Sequence, residues 1–175
     1  MVFLPPGQEE HARRAIESAG PSLKILPIFR DRMMLVVSTK NPLAKRKSVQ
    51  TVDIVNEPLI FPKTGFTRQM LDKLFRPYRS RLRISMELAS VGMIKRFVGA
   101  DLGVSLISAS FAQDEVRAGK VKLIALADVN LWRELGLVYR RDRSLPLAGN
   151  AFVTLIRQRT PLQSAGGSAS AASSE

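Results

Sequence analysis

The stretch Met93-Ile-Lys-Arg-Phe-Val-Gly-Ala-Asp-Leu-Gly-Val-Ser-Leu-Ile107 decides the fold, because an amphipathic helical pattern ends in a glycine turn and runs directly into an apolar segment. Met93, Ile94, Phe97 and Val98 fall on one helical face and Lys95 and Arg96 on the other. Gly103 is free to take the positive φ that ends a helix and launches a strand over Val104 to Ile107. A helix feeding a buried strand is the joint of an α/β sheet, and such sheets hold ligands at the carboxyl ends of their strands.

Working upstream, Ser90 stands where that helix needs an N-cap, and Ile84 to Leu88 alternates with the period of a half-buried strand. Thr67 to Phe75 reads as a helix ending before Pro77, Pro58 to Phe61 as a buried strand, and Val52 to Val55 as a helical turn. Ile25 to Phe29 and Met33 to Val37 read as two extended segments around the charged Arg30-Asp31-Arg32, the second apolar enough to be buried on both faces. Asn41-Pro42 marks a turn, and Gln8 to Ala19 a short helix stopped by Gly20-Pro21. Downstream, Phe111 to Ala118 predicts a helix closed by Gly119, and Val121 to Leu126 and Leu135 to Tyr139 predict strands, the latter preceded by Trp132. Ser144 to Gln158 predicts a last helix, with Phe152, Leu155 and Ile156 on its buried side. Residues 161–175, rich in Ser, Ala and Gly, read as a disordered tail.

A chain of 175 residues with 45% hydrophobic content suits one domain or two small lobes with a proper core. Its apolar runs fall well short of the roughly 20 residues of a membrane span. Met1-Val-Phe-Leu4 followed by Pro5-Pro6 lacks the basic start of a signal peptide, so no membrane partner and a cytoplasmic location are expected. The absence of cysteine excludes disulfides, thiolate nucleophiles and thiolate metal ligands.

The formal net charge of +12 raises the question of polyanion binding. The densest basic segment, Arg68, Lys73, Arg76, Arg79, Arg81 and Arg83 against Asp72, has no interleaved aromatics on which bases could stack. It reads as a solvated or partner-facing surface, and Lys45-Arg46-Lys47 as an exposed loop. Catalysis finds little support. The single histidine, His11, lies among Glu9, Glu10, Arg13 and Arg14, which leaves no Ser/His/Asp arrangement and no metal site. Gly99-Ala-Asp-Leu-Gly103 ends a helix where a phosphate loop must open one. Met33-Met34, Met86 and Met93 sit among Leu, Val and Ile and read as core filler, so neither cofactor nor metal is expected.

Phe61-Pro-Lys-Thr-Gly-Phe-Thr67 leaves a strand and opens a helix, and can offer backbone N–H groups, two hydroxyls and an ammonium to an anion such as a carboxylate. The structural alternative makes Thr67 and Ser90 ordinary helix caps, Gly65 the relief of a turn, and Lys63 a solvent-exposed cation.

The order of these segments resembles the effector-binding, or substrate-binding, domain of LysR-type bacterial transcription regulators. The carriers are Leu26-Pro-Ile-Phe-Arg-Asp-Arg-Met-Met-Leu-Val-Val-Ser38 with Asn41-Pro-Leu-Ala44, Glu57-Pro-Leu-Ile60, Ile94-Lys-Arg-Phe-Val98 with Gly103-Val-Ser-Leu-Ile107, and Leu135-Gly-Leu-Val-Tyr-Arg140 before Ala151-Phe152. The resemblance, over about residues 1 to 158, implies an α/β, periplasmic-binding-protein-like (type 2) fold of two lobes with a small effector between them. It implies crossovers near Val37 to Leu43 and Val121 to Leu126, a complete lobe over 43–126, and another built from 1–42 and 127–160. Family members carry a winged helix-turn-helix and two further strand-helix units ahead of the strand that Met1 to Leu4 matches. The expectation is therefore an amino-terminally truncated regulator with one lobe incomplete. The motif places Pro62, Lys63 and Thr64 beside the effector, with Ser90 at the next helix start and Ser108 at the following strand end, and Gly65, Phe66 and Thr67 of the same loop complete the expected effector-binding set. The implied partners are a small-molecule effector, a carboxylate by the chemistry above, a second copy in a homodimer or tetramer, and DNA only through the absent domain. A solute-binding protein of the same fold and a basic nucleic-acid-binding protein are the competing expectations.

Overall fold

Period-two alternation divides the core between the two faces of a sheet. Leu35, Val37, Leu59, Phe61 and Leu106 point into one buried cluster, whereas the intervening Val36 and Ile60, and Ile107 next to Leu106, point into another. The computed structural model describes residues 2–4, 23–140 and 143–159. The expected helix over Gln8 to Ala19, His11 and the tail over 161–175 lie outside them.

The strands are β1 (Val2–Leu4), β2 (Leu23–Ser38), β3 (Ser48–Val49), β4 (Leu59–Pro62), β5 (Ile84–Leu88), β6 (Ser105–Ser108), β7 (Val121–Leu126) and β8 (Trp132–Arg140). The helices are α1 (Thr51–Ile54), α2 (Phe66–Leu74), α3 (Val91–Gly99), α4 (Gln113–Arg117) and α5 (Leu147–Arg159). Short 3-10 turns cover Pro42–Lys45, Arg76–Tyr78 and Ala109–Ala112. Helices α1 and α2 bury Ile54 and Leu71 in the first cluster, and α3 buries Ile94 and Val98 in the second. The sheet is therefore covered on both faces, as the continuous apolar runs of its central strands require.

The main correction to the reading of the sequence is β2. The two expected segments are one strand, running straight through Arg30-Asp31-Arg32 with an irregularity between Pro27 and Phe29. The charged triplet belongs to the ladder because Glu134, Arg133 and Trp132 of β8 stand opposite it in antiparallel register. At the next residue β2 changes neighbours. Met33 to Val36 pair with β6 and Leu35 to Ser38 with β7, while Leu23 to Arg32 pair with β8, which also carries β1. Residues 127–131 connect β7 to β8, so the chain returns from one set of partners to the other just beyond β7. Leu35, Val36 and Val37 are wholly buried, as a strand with neighbours on both sides and helices on both faces must be.

The joint read first from the sequence is present with one difference. The residue in the left-handed region after α3 is Asp101, at φ 62°, while Gly103, at φ 155°, serves close approach instead. A Cβ at Gly103 would stand 2.4 Å from the carbonyl oxygen of Pro58. Val104 N donates to that same oxygen at 2.8 Å and Ile60 N donates back to Val104 O at 2.9 Å, so the parallel pair β4 and β5 is tied to β6 through a position only glycine fits.

Helix α5 departs from expectation more strongly. It begins at Leu147 rather than Ser144, and Leu147, Phe152 and Leu155 are exposed to 91%, 53% and 49%, with Ile156 half-buried. The periodic face is there, but the described residues bring no cover to it. Met93 is also exposed on α3 while Met33 is buried, so only some of the methionines fill the core. Among the described residues, no helix is long and apolar enough to cross a membrane.

Candidate functional site

A cavity of about 350 Å³ opens where β4 ends and α2 begins, beside the end of β6. It lies at the carboxyl ends of two strands that run parallel through the Leu59 and Val104 bridge, as the sheet topology calls for. Its lining gathers six of the expected residues, Pro62, Thr64, Gly65, Phe66, Thr67 and Ser108. Lys63 and Ser90 are exposed and do not line it, although Ala89 and Val91 on either side of Ser90 do. The Lys63 amide is already spent on the β4 and β5 ladder, donating to Leu88 O at 2.9 Å. Ser90 occupies the N-cap position of α3 with its hydroxyl unused as a cap.

Gly65 explains the shape of the loop. It precedes α2 at φ 95°, which lets the chain turn from the strand end into the helix, and no side chain caps the first turn. The first-turn amides of a nine-residue helix thus stand beside the cavity with Thr64 and Thr67. Arg68 locks this helix in place. Its guanidinium binds Asp72 at 2.9 Å and also Glu87 beyond β4, and lies 5.6 Å over the Phe61 ring. Its pKa is raised, first by the Glu87 hydrogen bond and, against the opposing effect of burial, by Asp72.

The floor and far wall come from residues the sequence reading did not select. Ile94 of α3, Leu106 and Ile107 of β6, and Phe111 of the 3-10 turn supply apolar surface. Lys95 anchors that turn to α3, donating to Phe111 O at 2.7 Å and pairing with Glu115. Arg133 of β8 adds a guanidinium, 5.0 Å over the Phe111 ring. Arg133 and Asp31 are only 6% and 7% exposed and face each other in register across β2 and β8. Burial lowers the Arg133 pKa, and Asp31 offsets part of that cost. Asp31 is fixed in turn by Ser110, whose amide reaches one carboxylate oxygen at 3.3 Å and whose hydroxyl donates to the other. Local sequence carries no signal for Arg133, one of 27 basic residues, because its place depends on a pairing with a strand a hundred residues earlier.

A larger depression of about 630 Å³ runs between α2 and the start of β5. Its walls are mostly exposed, solvated side chains such as Lys73, Arg76 and Arg79, and Arg68 is already committed to two carboxylates. The smaller cavity, apolar with a few convergent polar groups, has the make-up of a small-molecule site.

A family model described as the LysR substrate binding domain matches residues 12–161. The HTH-type transcriptional activator CmpR of Synechocystis sp. PCC 6803 is 25% identical over 132 residues, 75% of this chain and 43% of that protein. The HTH-type transcriptional regulator YwbI of Bacillus subtilis is 30% identical over 132 residues, 72% of this chain and 42% of that protein. The chain thus spans about two fifths of the length of these curated relatives. Among solved structures, the regulatory domain of Synechocystis PCC6803 CcmR in complex with 2-PG aligns at TM-score 0.68 and 17% identity, covering 87% of this chain and 79% of that one. The effector binding domain of QuiR in complex with shikimate aligns at TM-score 0.62 and 19% identity, covering 80% and 66%. These likenesses bear out the periplasmic-binding-protein-like (type 2), two-lobed α/β fold. The matched family is a binding domain carried by transcriptional regulators and not an enzyme family, which agrees with the poor case for catalysis.

Proposed function

Because the chain belongs to the LysR substrate binding domain family, we propose that it is the effector-binding sensor of a LysR-type transcription regulator, and that its effector is a small anionic metabolite. The observation that carries this reading is the cavity of about 350 Å³ at the β4 to α2 junction, where hydroxyls, helix-start amides and one buried guanidinium converge over an apolar floor. Two similar structures hold small molecules, 2-PG in CcmR and shikimate in QuiR. The effector sits between one lobe on residues 43–126 and another assembled from residues 1–42 and 127–160. It contacts Pro62, Thr64, Gly65, Phe66, Thr67 and Ser108 on the first. Binding shifts the population of lobe arrangements, and the readout is DNA binding by a winged helix-turn-helix domain of the whole regulator, a cytoplasmic homodimer or tetramer.

A thermal-shift screen against small carboxylates tests this. A ligand at a hundred times its Kd adds about 2.7 kcal/mol to the native state. For a chain of this length that raises Tm by roughly 5–10 °C. Thr64→Val should cut the affinity about tenfold while leaving the ligand-free melt in place. A cooperative melt that no carboxylate moves would sink the reading.

A further inference from the structure

Arg133 is the charged residue in a lining otherwise made of neutral side chains and glycine. It is not a long surface cation folded back by chance. The ladder sets it opposite Asp31, both are nearly sealed from solvent, and Phe111 lies beneath the guanidinium. Each carboxylate oxygen of Asp31 accepts from Ser110, which fixes the counter-charge to the turn after β6. A buried guanidinium that merely stabilised the fold would be a poor choice, since an apolar pair of the same volume does as well or better. One that faces a ligand cavity has another use, because a planar fork of N–H donors matches a carboxylate in two bonds.

We propose that Arg133 is the specificity-determining residue of the cavity, selecting a ligand with a single carboxylate on an apolar body. The inference rests on the cavity being the effector site. Arg133 and Asp31 together leave the site near neutral, so one carboxylate brings a single excess negative charge to the guanidinium, whereas a phosphate dianion would bring twice that into an apolar surround. The hydrocarbon part of the ligand lies on Phe66, Ile94, Leu106 and Phe111, and the Ser108 hydroxyl stands at the strand end beside it. Asp31 is a positioning residue: it stands opposite Arg133 in the ladder as its counter-charge and takes no part in contact with the ligand. A bound carboxylate would join β8, through Arg133, to the loop that opens α2, through Thr64 and Thr67. These segments are separate in sequence and belong to different strand pairings, so the anion acts as the link between them.

The test is titration calorimetry of the full chain with benzoate, cyclohexanecarboxylate and shikimate, each against its uncharged amide. Wild type should bind at least one acid about tenfold or more tightly than its amide, and Arg133→Met should weaken that acid about 10- to 100-fold, to the level of the amide. Amide affinity should fall far less than acid affinity in the variant, and retained amide binding reports an intact cavity. Arg133→Met alone leaves Asp31 as a lone buried carboxylate, so the double variant with Asp31→Asn is measured beside it and should give the same loss of preference in a stably folded chain. An acid preference that survives in either variant overturns the inference and leaves the cavity reading standing. Amides that bind wild type as well as acids do the same. Failure of all six probes to bind wild type overturns both.

Discussion

Replacing Gly103 with alanine addresses the joint on which the fold turns. The added Cβ would stand 2.4 Å from Pro58 O and 3.1 Å from the Cγ1 of Ile60, and the first of these is backbone that cannot rotate away. The position also holds φ at 155°, where side-chain-bearing residues rarely sit. Keeping that conformation costs about 1–3 kcal/mol. Relieving the overlap moves Val104 away from Pro58 and stretches the two hydrogen bonds, of 2.8 and 2.9 Å, that tie β4 to the β6 chain. Each is worth about 1 kcal/mol net. The expected destabilisation is on the order of 3–5 kcal/mol, a large part of the roughly 5–15 kcal/mol that holds a domain together. For this length it corresponds to a fall in Tm of roughly 6–20 °C. Urea unfolding followed by circular dichroism reads it as a lower midpoint at unchanged slope. A loss below about 1 kcal/mol would refute the argument, since it would mean that the β4 to β6 contact yields without cost.

Leu71→Ala should cost about 2–5 kcal/mol by the same assay, because Leu71 is wholly buried between α2 and the sheet beside Phe61 and Phe75. A cost near zero would mean that α2 does not pack as described. Lys95→Met removes the bridge to Glu115, whose side chains are 18% and 24% exposed, and the bond to Phe111 O. A loss of roughly 1 kcal/mol is expected, with a several-fold weaker affinity for any ligand seated on Phe111. The stability difference should shrink in 1 M salt, and one indifferent to salt would argue against an electrostatic anchor.

Much of this architecture is legible in local pattern. Alternation delimits Ile84 to Leu88, the apolar run Val121 to Leu126 is also visible, and both are strands over those residues. Spacing of apolar residues and the position of Pro77 place α2 within a residue of its ends, and the glycine-bearing loop after β4 is visible as the opening of a helix. These features are short-range: a strand's period and a helix's face are properties of neighbouring residues, and so is a backbone position that excludes a Cβ. The same legibility extended to Pro62, Thr64, Gly65, Phe66 and Thr67, because a strand end followed by a helix start is itself a local event, whereas Ser108 was implied only by the family resemblance.

Long-range pairing decided the rest. Arg30-Asp31-Arg32 reads as a break between two segments, since three charges in a row carry no buried face; opposite Glu134, Arg133 and Trp132 they become the middle of one 16-residue strand. Helix α5 has the right period but an exposed apolar face, because period states which residues align and not what will cover them. Phe111 and Arg133 enter the cavity from different elements, the 3-10 turn after β6 and strand β8, and Ser110 reaches back to Asp31 across 79 positions. The sequence by itself determined the elements and the loop that offers amides and hydroxyls to a ligand. Only the tertiary structure decided which charge lines that cavity, because a cation's place depends on the carboxylate and ring brought around it, and neither is its neighbour in the chain.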